Sequence, residues 1–202
     1  MKDGQLNYLS FVSAEKPNLW SKYQAGLRDV LIHFGVDQVV LSTAPHQLSE
    51  DTYVIIAFDK NNFTLGGIRL EIKSSQNKIP LEKIEHQIRE RLSIKIKIES
   101  DQSKGKLAEV CGLWVSREAK GLGIGSELAY QATRLATDLK IHTLISLLPT
   151  HTLNYFLSLG YQIDPSMPRI SYPDDRYIST VVWYYVPDKF LRNSISQTDS
   201  SL

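Results

Sequence analysis

The stretch from Leu107 to Ala136 constrains the fold of this chain more than any other. It reads LAEVCGLWVSREAKGLGIGSELAYQATRLA. The part up to Val115 is apolar and rich in strand formers, and from Ile124 onward the apolar residues fall at helical spacing. Three glycines occupy alternate positions between these two parts, namely Gly121, Gly123 and Gly125. The sequence therefore predicts a strand, a glycine-rich turn and a helix that begins inside the glycines.

A turn of this kind suits an anionic ligand. The first turn of a helix leaves backbone N–H groups without partners and carries the positive end of the helix dipole. Because glycine has no β-carbon, phosphate oxygens can approach the main chain closely. The alternative is a structural turn with no ligand, but three glycines in five residues would then cost backbone entropy without return. We therefore expect this turn to bind an anion.

Two common phosphate-binding motifs do not fit the turn. A P-loop requires lysine followed by serine or threonine after the last glycine, whereas this chain has Ser126–Glu127. A dinucleotide fingerprint places its third glycine one residue later than Gly125 and ends the next strand with an acidic residue. Here the next apolar run ends in Pro149–Thr150–His151. Both motifs are excluded.

The glycine run resembles the acyl-CoA pyrophosphate loop of the GCN5-related N-acetyltransferase (GNAT) superfamily, whose pattern is Arg/Gln-x-x-Gly-x-Gly/Ala. Lysine at the first position is a departure from that pattern. The resemblance implies an α/β acyl-CoA N-acyltransferase fold, a mixed central β-sheet flanked by helices, with acetyl-CoA or another acyl-CoA as donor. It further implies that the pyrophosphate is bound by Lys120, Gly121, Leu122, Gly123, Ile124, Gly125 and Ser126.

A second region is similar to another GNAT signature. Thr143–Leu148 predicts a buried strand, and the following segment predicts a helix that ends at Gly160–Tyr161. The resemblance implies that Asn154 contacts the pantetheine arm and that Phe156 lies at the cofactor, where the family often has a tyrosine that protonates the thiolate. Phenylalanine cannot donate a proton, and Tyr155 lies about 100° away around the helix. The sequence therefore assigns no general acid.

Acyl transfer to an amine requires a proton acceptor and a donor for the oxyanion. Glu109 lies in an otherwise apolar run, where burial would raise the pKa of its carboxyl group toward that of a general base. The alternative is a glutamate at a strand start that faces solvent or pairs with a lysine. In the GNAT family the central strand splays from its neighbour and exposes main-chain groups to pantetheine. In this chain those groups would belong to Leu113, Trp114 and Val115.

A narrower resemblance connects the chain to acyl-homoserine-lactone synthases and N-acyl amino acid synthases, which share the GNAT fold but take acyl groups from acyl carrier protein. Arg69 and Glu109 match the arginine and glutamate of those families, which implies that Arg69 contacts the substrate. An outward-facing strand residue is the alternative. The arginine expected three residues after the glutamate is Gly112 here, and the intact glycine turn favours CoA.

Hydrophobic spacing predicts further elements. From Pro17 we expect an amphipathic helix capped by Asn18 and ended by Gly35. Leu81–Leu92 follows helical spacing, and the alternation of isoleucine with lysine over Ile94–Ile98 predicts an edge strand or flap. Other expected features are a strand or connection over Val36–Ser42, a hairpin of Tyr53–Phe58 and Leu65–Ile72 around Asp59–Asn62, a polar loop over Ser100–Lys106, a loop over Asp164–Tyr177 and a last strand over Tyr177–Val186.

Length and composition narrow the class of protein. The chain has 202 residues, which suits one well-cored domain, and we expect it over residues 1–190 with a disordered polar tail over 191–202. A net charge of +1 gives no electrostatic footprint for nucleic acid or an acidic membrane. The single cysteine, Cys111, excludes an internal disulfide and agrees with a reducing cytoplasm.

The sequence also lacks signals for a membrane segment, a metal site and a reactive cysteine. No apolar run approaches membrane-spanning length, and the N-terminus lacks a signal core, so we expect a cytoplasmic protein. His142 and His151 bracket a strand without forming a ligand pair, so no metal is predicted. Cys111 lies in an apolar strand where a thiol is usually inert.

Three functions remain compatible with the sequence. The first is an N-acyltransferase that moves an acetyl or other acyl group from acyl-CoA to a primary amine of a small molecule or amino acid by direct attack. The second is a synthase of the N-acyl amino acid or autoinducer type that uses acyl carrier protein. The third is a non-catalytic acyl-CoA-binding module. The aromatic last strand also allows pairing across a homodimer.

Overall fold

The computed structural model describes residues 6–37, 47–74, 77–84, 88–102, 106–187 and 189. Within these residues the chain forms eight strands and four α-helices. In chain order they are β1 (Asn7–Val12), α1 (Pro17–Phe34), β2 (Thr52–Phe58), β3 (Thr64–Ile72), α2 (Arg89–Gln102), β4 (Leu107–Val115), α3 (Ile124–Asp138), β5 (Thr143–Pro149), α4 (Thr150–Ser158), β6 (Gln162–Ile163), β7 (Ile170–Ser171) and β8 (Ile178–Tyr185).

The strands form one mixed sheet in the order β1-β2-β3-β4-β5-β8-β6, with β7 also paired to β8. Every recorded strand pair is antiparallel except β4 with β5. That parallel pair requires a crossover, which α3 provides. The mixed sheet with flanking helices confirms the predicted α/β fold. Among the described residues, β8 pairs with β5 on one side and with β6 and β7 on the other, so its edge is partly covered; pairing of this strand across a homodimer stays a prediction.

Helix α1 begins and ends largely where the sequence predicts. Pro17 occupies the first turn, where a missing N–H is harmless, and Lys16 is the N-cap without a side-chain hydrogen bond. The predicted Asn18 cap is therefore wrong. Gly35 ends the helix in the left-handed region, at φ 67°, and its N–H bonds to the carbonyl of Ile32.

The β2–β3 hairpin confirms the predicted turn. The Asp59 carboxylate accepts the backbone N–H groups of Asn61, at 2.9 Å, and Phe63, at 2.8 Å. Asn62 takes the left-handed conformation at φ 63°, which asparagine tolerates better than most residues. The hairpin tip thus carries Phe63 outward, and this side chain is 68% exposed.

Helix α2 replaces the predicted edge strand or flap. Leu92 and Ile96 are four residues apart and both fully buried, whereas Ile94 and Ile98 face solvent. The segment in which isoleucine alternates with lysine is therefore part of a helix with one narrow apolar face. The prediction of an edge strand or flap over Ile94–Ile98 is wrong. Within the predicted helix over Leu81–Leu92, the described residues form a 3₁₀ turn at Pro80–Glu82 and the start of α2, and residues 85–87 lie outside the described residues.

Two other predictions change at the edges of elements. Strand β1 was not predicted, because its mostly exposed residues give little apolar signal; it pairs antiparallel with β2, with Leu9 opposite Ile56. Ser100 lies in α2 rather than in a polar loop, and residues 103–105 are outside the described residues. Most of the predicted run Val36–Ser42 and the predicted tail also lie outside them.

The sheet is covered on both faces. On one face, α3 and α4 pack against the apolar side chains of β3, β4 and β5 in a single cluster that includes Ile68, Val110, Leu128 and Phe156. The other face carries two clusters. One belongs to α1 and contains Trp20, Tyr23, Leu27 and Trp114, and the other belongs to α2 and contains Leu81, Leu92, Ile96 and Trp183.

The described residues contain neither a membrane-spanning helix nor a cluster of metal-ligating side chains. None of the helices described is both long and apolar enough to cross a membrane. Among the same residues no group of three or more histidine, cysteine, aspartate or glutamate side chains has an arrangement able to hold a metal ion.

Candidate cofactor and active site

Strands β4 and β5 stop pairing after Glu109. Their parallel register pairs Leu107 with Thr143, Ala108 with Leu144 and Glu109 with Ile145. Beyond this point β4 runs on to Val115 and β5 to Pro149, and no further pair between these described strands follows. Ser146 donates its hydroxyl to the carbonyl of Val110 at 2.6 Å and so closes the base of the wedge.

A β-bulge lies just beyond the point where the strands part. The register with β3 passes from Arg69–Cys111 to Gly67–Trp114, so two residues of β4, Gly112 and Leu113, stand against one residue of β3. Gly112 has φ 60°, a conformation that glycine adopts without strain. The bulge turns the main chain of β4 at the wedge.

The glycine turn that follows β4 is open. Gly121 and Gly123 have φ values of 83° and 75°. A β-carbon built at Gly121 would meet no atom within 4 Å, and one at Gly123 would meet only the Ser126 hydroxyl at 4.0 Å. No side chain from the described residues therefore plugs the turn.

The amides of this turn are available to a ligand. Gly123 is the N-cap of α3 and makes no side-chain capping bond. Within the described part of the chain, no backbone acceptor bonds the N–H groups of Gly121, Gly123, Ile124, Gly125 or Ser126. Together with the N-terminal dipole of α3, these groups make a site of the kind that binds phosphate.

A cleft of about 1290 Å³ opens over the turn and the wedge. Helix α1 and the tip of the β2–β3 hairpin form its far wall. The predicted cofactor residues that line it are Leu113, Trp114, Val115, Lys120, Gly121, Gly123, Ile124, Gly125 and Ser126. Leu122 is in the turn, but its side chain is exposed and does not line the cleft.

Helix α4 presents different residues to the cleft from those predicted. Asn154 is exposed outside the cleft lining. Phe156 is 1% exposed in the core, where its ring packs edge-on to Tyr161 at 5.1 Å between centroids. Neither side chain is placed to touch a cofactor in the cleft, so we withdraw both from the proposed contacts.

The cleft-facing side of α4 consists of His151, Thr152 and Tyr155. Tyr155 lies beside the first turn of α3, because a β-carbon built at Gly125 would be 3.3 Å from its ring. This side of the helix was not predicted to face the cofactor. The spacing of His151 and Tyr155, four residues apart, is the signal that could have found it.

Glu109, the predicted base, lies at the apex of the wedge and is 3% exposed. Its Oε2 accepts the N–H of Leu81 at 2.8 Å. Burial raises the pKa of Glu109 to about 8, against the opposing effects of the Leu81 hydrogen bond and the charge of Arg69. The side chain is not part of the cleft lining.

Arg69, the predicted substrate contact, is buried behind the bulge. It is 4% exposed, and its Nε lies 2.8 Å from Oε1 of Glu71, in an ion pair whose N–H is poorly aligned for a hydrogen bond. The other oxygen of Glu71 accepts the hydroxyl of Thr52 at 2.7 Å. The guanidinium therefore faces protein groups and does not line the cleft.

Two further titratable side chains bear on the chemistry. Burial raises the pKa of the Cys111 thiol, which disfavours the thiolate that a nucleophile would need. Burial lowers the pKa of His151, so its imidazole is neutral at neutral pH and can accept a proton. His151 thus lies in the cleft lining with an imidazole that can accept a proton, whereas Glu109 lies at the apex of the wedge and outside that lining.

Comparison with known proteins gives a family match. The model of the acetyltransferase (GNAT) family matches residues 46–161, more than half of the chain. An uncharacterized protein of Mycobacterium tuberculosis is 24% identical over 187 residues, which covers 91% of this chain and 70% of the relative.

Solved structures support the same fold at low identity. A putative N-acetyltransferase from Lactobacillus plantarum has a TM-score of 0.62 and 9% identity, covering 90% of this chain and 99% of that one. FeeM, an N-acyl amino acid synthase from uncultured soil microbes, has a TM-score of 0.64 and 14% identity, covering 92% and 93%. A CoA-dependent acyl-homoserine lactone synthase, BjaI, has a TM-score of 0.59 and 12% identity, covering 93% and 86%. The family match, the shared fold and the open glycine turn agree, and the chain belongs to the acetyltransferase (GNAT) family.

Proposed function

We propose that this protein transfers an acyl group from acyl-CoA to the primary amine of a small molecule or amino acid. The observation that carries the proposal is the alignment of two features of β4. The strand parts from β5 after Glu109, and its far end runs into a glycine turn with unbonded amides. A ligand with a diphosphate at one end and a thioester at the other fits both features at once.

The donor is proposed to bind along β4. Its diphosphate accepts hydrogen bonds from the N–H groups of Gly121 and of Gly123 to Ser126, with the positive end of α3 behind them. Lys120 adds a cation beside the turn. The pantetheine arm then lies in the wedge and hydrogen-bonds to the main chain of Leu113–Val115. This part of β4 does not pair with β5.

The acyl group is proposed to pass directly from CoA to the amine, without a covalent intermediate on the enzyme. The free amine attacks the thioester carbon, a C–N bond forms, and the C–S bond breaks as the oxyanion collapses. The amide of Leu113 donates to the oxyanion in the transition state. Glu109 is proposed to accept the amine proton through a chain of water molecules, because its side chain does not line the cleft. A pKa of about 8 suits a base that operates near neutral pH.

The departing thiolate requires a proton. Tyr155 is the proposed donor, since it lines the cleft and packs beside Gly125, whereas Phe156 is in the core. His151 is the alternative proton acceptor for the amine, and it lies one turn earlier on the same side of α4.

Calorimetry and a thiol assay test the proposal in sequence. Titration with acetyl-CoA is expected to give a saturable heat, and a panel of primary amines is expected to release free CoA thiol with at least one member. Absence of heat with every acyl-CoA tried would contradict the proposed donor. Binding without thiol release across acyl chains and amines would favour the non-catalytic acyl-CoA-binding module.

A synthase of the N-acyl amino acid type is the second candidate, because FeeM shares the fold over 92% of this chain. Acyl carrier protein loaded with acyl chains of several lengths is the discriminating donor. Turnover with this donor and not with acyl-CoA would favour the synthase. The open glycine turn supports CoA as the first donor to test.

A further inference from the structure

Tyr23 connects helix α1 to the bulge in β4. Its side chain is completely buried, and its hydroxyl donates to the carbonyl of Gly112 at 2.7 Å. The two residues are 89 positions apart in the chain. The bond is directed at the one peptide that carries the bulge, immediately before the wedge-lining residue Leu113.

The Arg69 guanidinium lies beside the Tyr23 hydroxyl at Gly112. Arg69 is held in turn by its ion pair with Glu71. A β-carbon built at Gly112 would collide with the Tyr23 hydroxyl and lie 3.4 Å from Nη1 of Arg69. Only glycine leaves room for both side chains here, so the bulge and the two polar groups form one packed unit.

The direction of this hydrogen bond determines where the next amide points. In a trans peptide the C=O and the following N–H are antiparallel. Since the Gly112 carbonyl faces Tyr23 on the α1 side, the N–H of Leu113 faces away from α1. Neither Gly112 nor Leu113 has a register partner on β3 or β5.

We propose that Tyr23, packed beside Arg69, is a positioning residue that fixes the Gly112–Leu113 peptide so that the Leu113 amide donates to the thioester oxygen. This inference rests on the proposed acyl-CoA transfer and explains why a tyrosine and an arginine are buried together behind the wedge. Donors for an oxyanion stabilise it most when they need no reorganisation during the reaction. Without the Tyr23 hydroxyl the peptide loses its fixed orientation, although the donor site on the glycine turn is untouched.

Tyr23→Phe tests the proposal against a matched control, Tyr161→Phe. Tyr161 is 3% exposed, and its hydroxyl makes one side-chain contact, 3.2 Å from the hydroxyl of Thr133. Each variant thus removes a single hydroxyl from a buried ring. We expect Tyr23→Phe to lower kcat by about 10- to 100-fold with little change in the affinity for acetyl-CoA, whereas Tyr161→Phe stays within about twofold of the wild type.

An infrared measurement reads the amide directly and needs no acceptor. With acetyl-CoA labelled by ¹³C at the thioester carbonyl, the wild-type complex is expected to have its carbonyl band at lower frequency than free acetyl-CoA. In Tyr23→Phe the band is expected to move back toward the free position, and in Tyr161→Phe it is not. Arg69→Lys, which keeps the charge and loses the planar fork, is expected to give an intermediate position and serves if Tyr23→Phe does not fold.

The outcomes separate this inference from the proposed function. If the wild type binds no acetyl-CoA, the proposed donor fails and the inference fails with it. If the wild type binds acetyl-CoA but the carbonyl band is the same in the wild type, Tyr23→Phe and Arg69→Lys, only the positioning role is overturned. Equal losses of kcat in Tyr23→Phe and Tyr161→Phe would also overturn it.

Discussion

At the scale of single residues, Glu109 combines a catalytic proposal with a definite effect on stability. Its pKa is about 8 in the folded protein, and an unfolded glutamate titrates near 4.3. The folded state therefore holds the proton more tightly than the unfolded state. The contribution of this carboxyl to stability falls as the pH rises from about 4 to about 8, and it stays low above that.

Replacement of Glu109 by glutamine should remove this pH dependence. Glutamine keeps an oxygen that can accept the Leu81 N–H, but it cannot ionise. We expect the melting temperature of the wild type to fall more steeply between pH 6 and pH 9, values chosen to bracket the pKa of about 8, than that of Glu109→Gln. Parallel melting curves for the two proteins would contradict the raised pKa.

The same substitution tests the proton acceptor. Because only ionised Glu109 can accept a proton, the wild-type rate is expected to rise with pH up to about 8, and Glu109→Gln is expected to lose about 100-fold or more in kcat. Calorimetry with acetyl-CoA is the control, since Glu109 does not line the cleft. If Glu109→Gln keeps its rate, His151→Asn becomes the variant that must lose it.

Tyr155 is the residue-scale test of the thiolate donor. Tyr155→Phe keeps the ring beside Gly125 and removes the hydroxyl, so kcat should fall by about 10-fold or more while acetyl-CoA affinity stays similar. Tyr130→Phe is the matched control, because Tyr130 is 47% exposed on α3 and does not line the cleft. A rate for Tyr155→Phe that equals that of Tyr130→Phe would exclude the role.

At the scale of elements, α2 is attached to the sheet by a buried aspartate. Asp164 is 2% exposed, its Oδ2 lies 2.7 Å from Nζ of Lys95 on α2, and the same oxygen accepts the indole N–H of Trp183 at 2.7 Å. Burial alone would raise the pKa of Asp164, but hydrogen bonds from Lys95, Ser166 and Trp183 lower it to about 2.

Asp164→Asn is expected to reduce the free energy of unfolding by about 2 kcal/mol, because it weakens charged hydrogen bonds in the interior. The depressed pKa means that this contribution is present above about pH 4 and is lost as the pH falls toward about 2. Asp101→Asn provides the matched control, since the Lys97–Asp101 pair is exposed and its loss should cost less than about 0.5 kcal/mol. Chemical denaturation of both variants at pH 7 and pH 3 measures the difference, and equal losses would contradict the role of Asp164.

The glycine turn is the second element that can be tested. Gly123→Ala places a methyl group in the space proposed for phosphate and strains a residue at φ 75°. Gly160→Ala introduces similar backbone strain at φ 97°, in a turn outside the cleft lining. We expect Gly123→Ala to weaken acetyl-CoA binding by about 10-fold or more by calorimetry and Gly160→Ala to leave it unchanged. Equal affinities of the two variants would contradict the diphosphate site.

The sequence was sufficient to predict elements whose structure is determined by residues close together in the chain. The glycine turn could be read because φ values near 80° favour glycine, and α1 because its apolar face and its terminal glycine agree. Helix α2 was misread because an alternating pattern over Ile94–Ile98 satisfies a strand as well as a helix with a narrow face. Only the cluster beneath Leu92 and Ile96 decides between them, and that contact is not local.

The same distinction explains the errors at the site. Phe156 and Tyr155 are adjacent in the chain, so an error of one residue in the phase of α4 exchanges a core ring for a cleft ring. Arg69 was predicted as a substrate contact because it matches the arginine of the synthase families. The sequence does not reveal that its side chain is buried beside Tyr23, which lies on a distant helix. The polar unit behind the bulge joins α1, β2, β3 and β4, and no single segment encodes it.

At the scale of the whole molecule, the proposed donor site lies between the two halves of the sheet, where β4 and β5 pair over only three residues. The wedge separates β1–β4 from β5–β8 beyond Glu109, and the cleft above it is walled by α1 on one side and by α4 on the other. A ligand that binds in the wedge contacts both halves of the sheet. It binds the folded chain and not the unfolded chain. Its affinity must therefore appear as added stability of the entire domain.

Acetyl-CoA at 100 times its dissociation constant is expected to add about 2.7 kcal/mol, which for a chain of this length raises the melting temperature by about 5–10 °C. S-acetylpantetheine carries the same thioester and arm without the diphosphate, so at equal concentration it should give a much smaller shift. The difference between the two ligands should shrink in Gly123→Ala, whose turn accommodates phosphate less well, and persist in Gly160→Ala. Equal shifts from both ligands in the wild type would mean that the amides from Gly121 to Ser126 contribute nothing to donor binding, and the alignment of turn and wedge would lose its functional meaning.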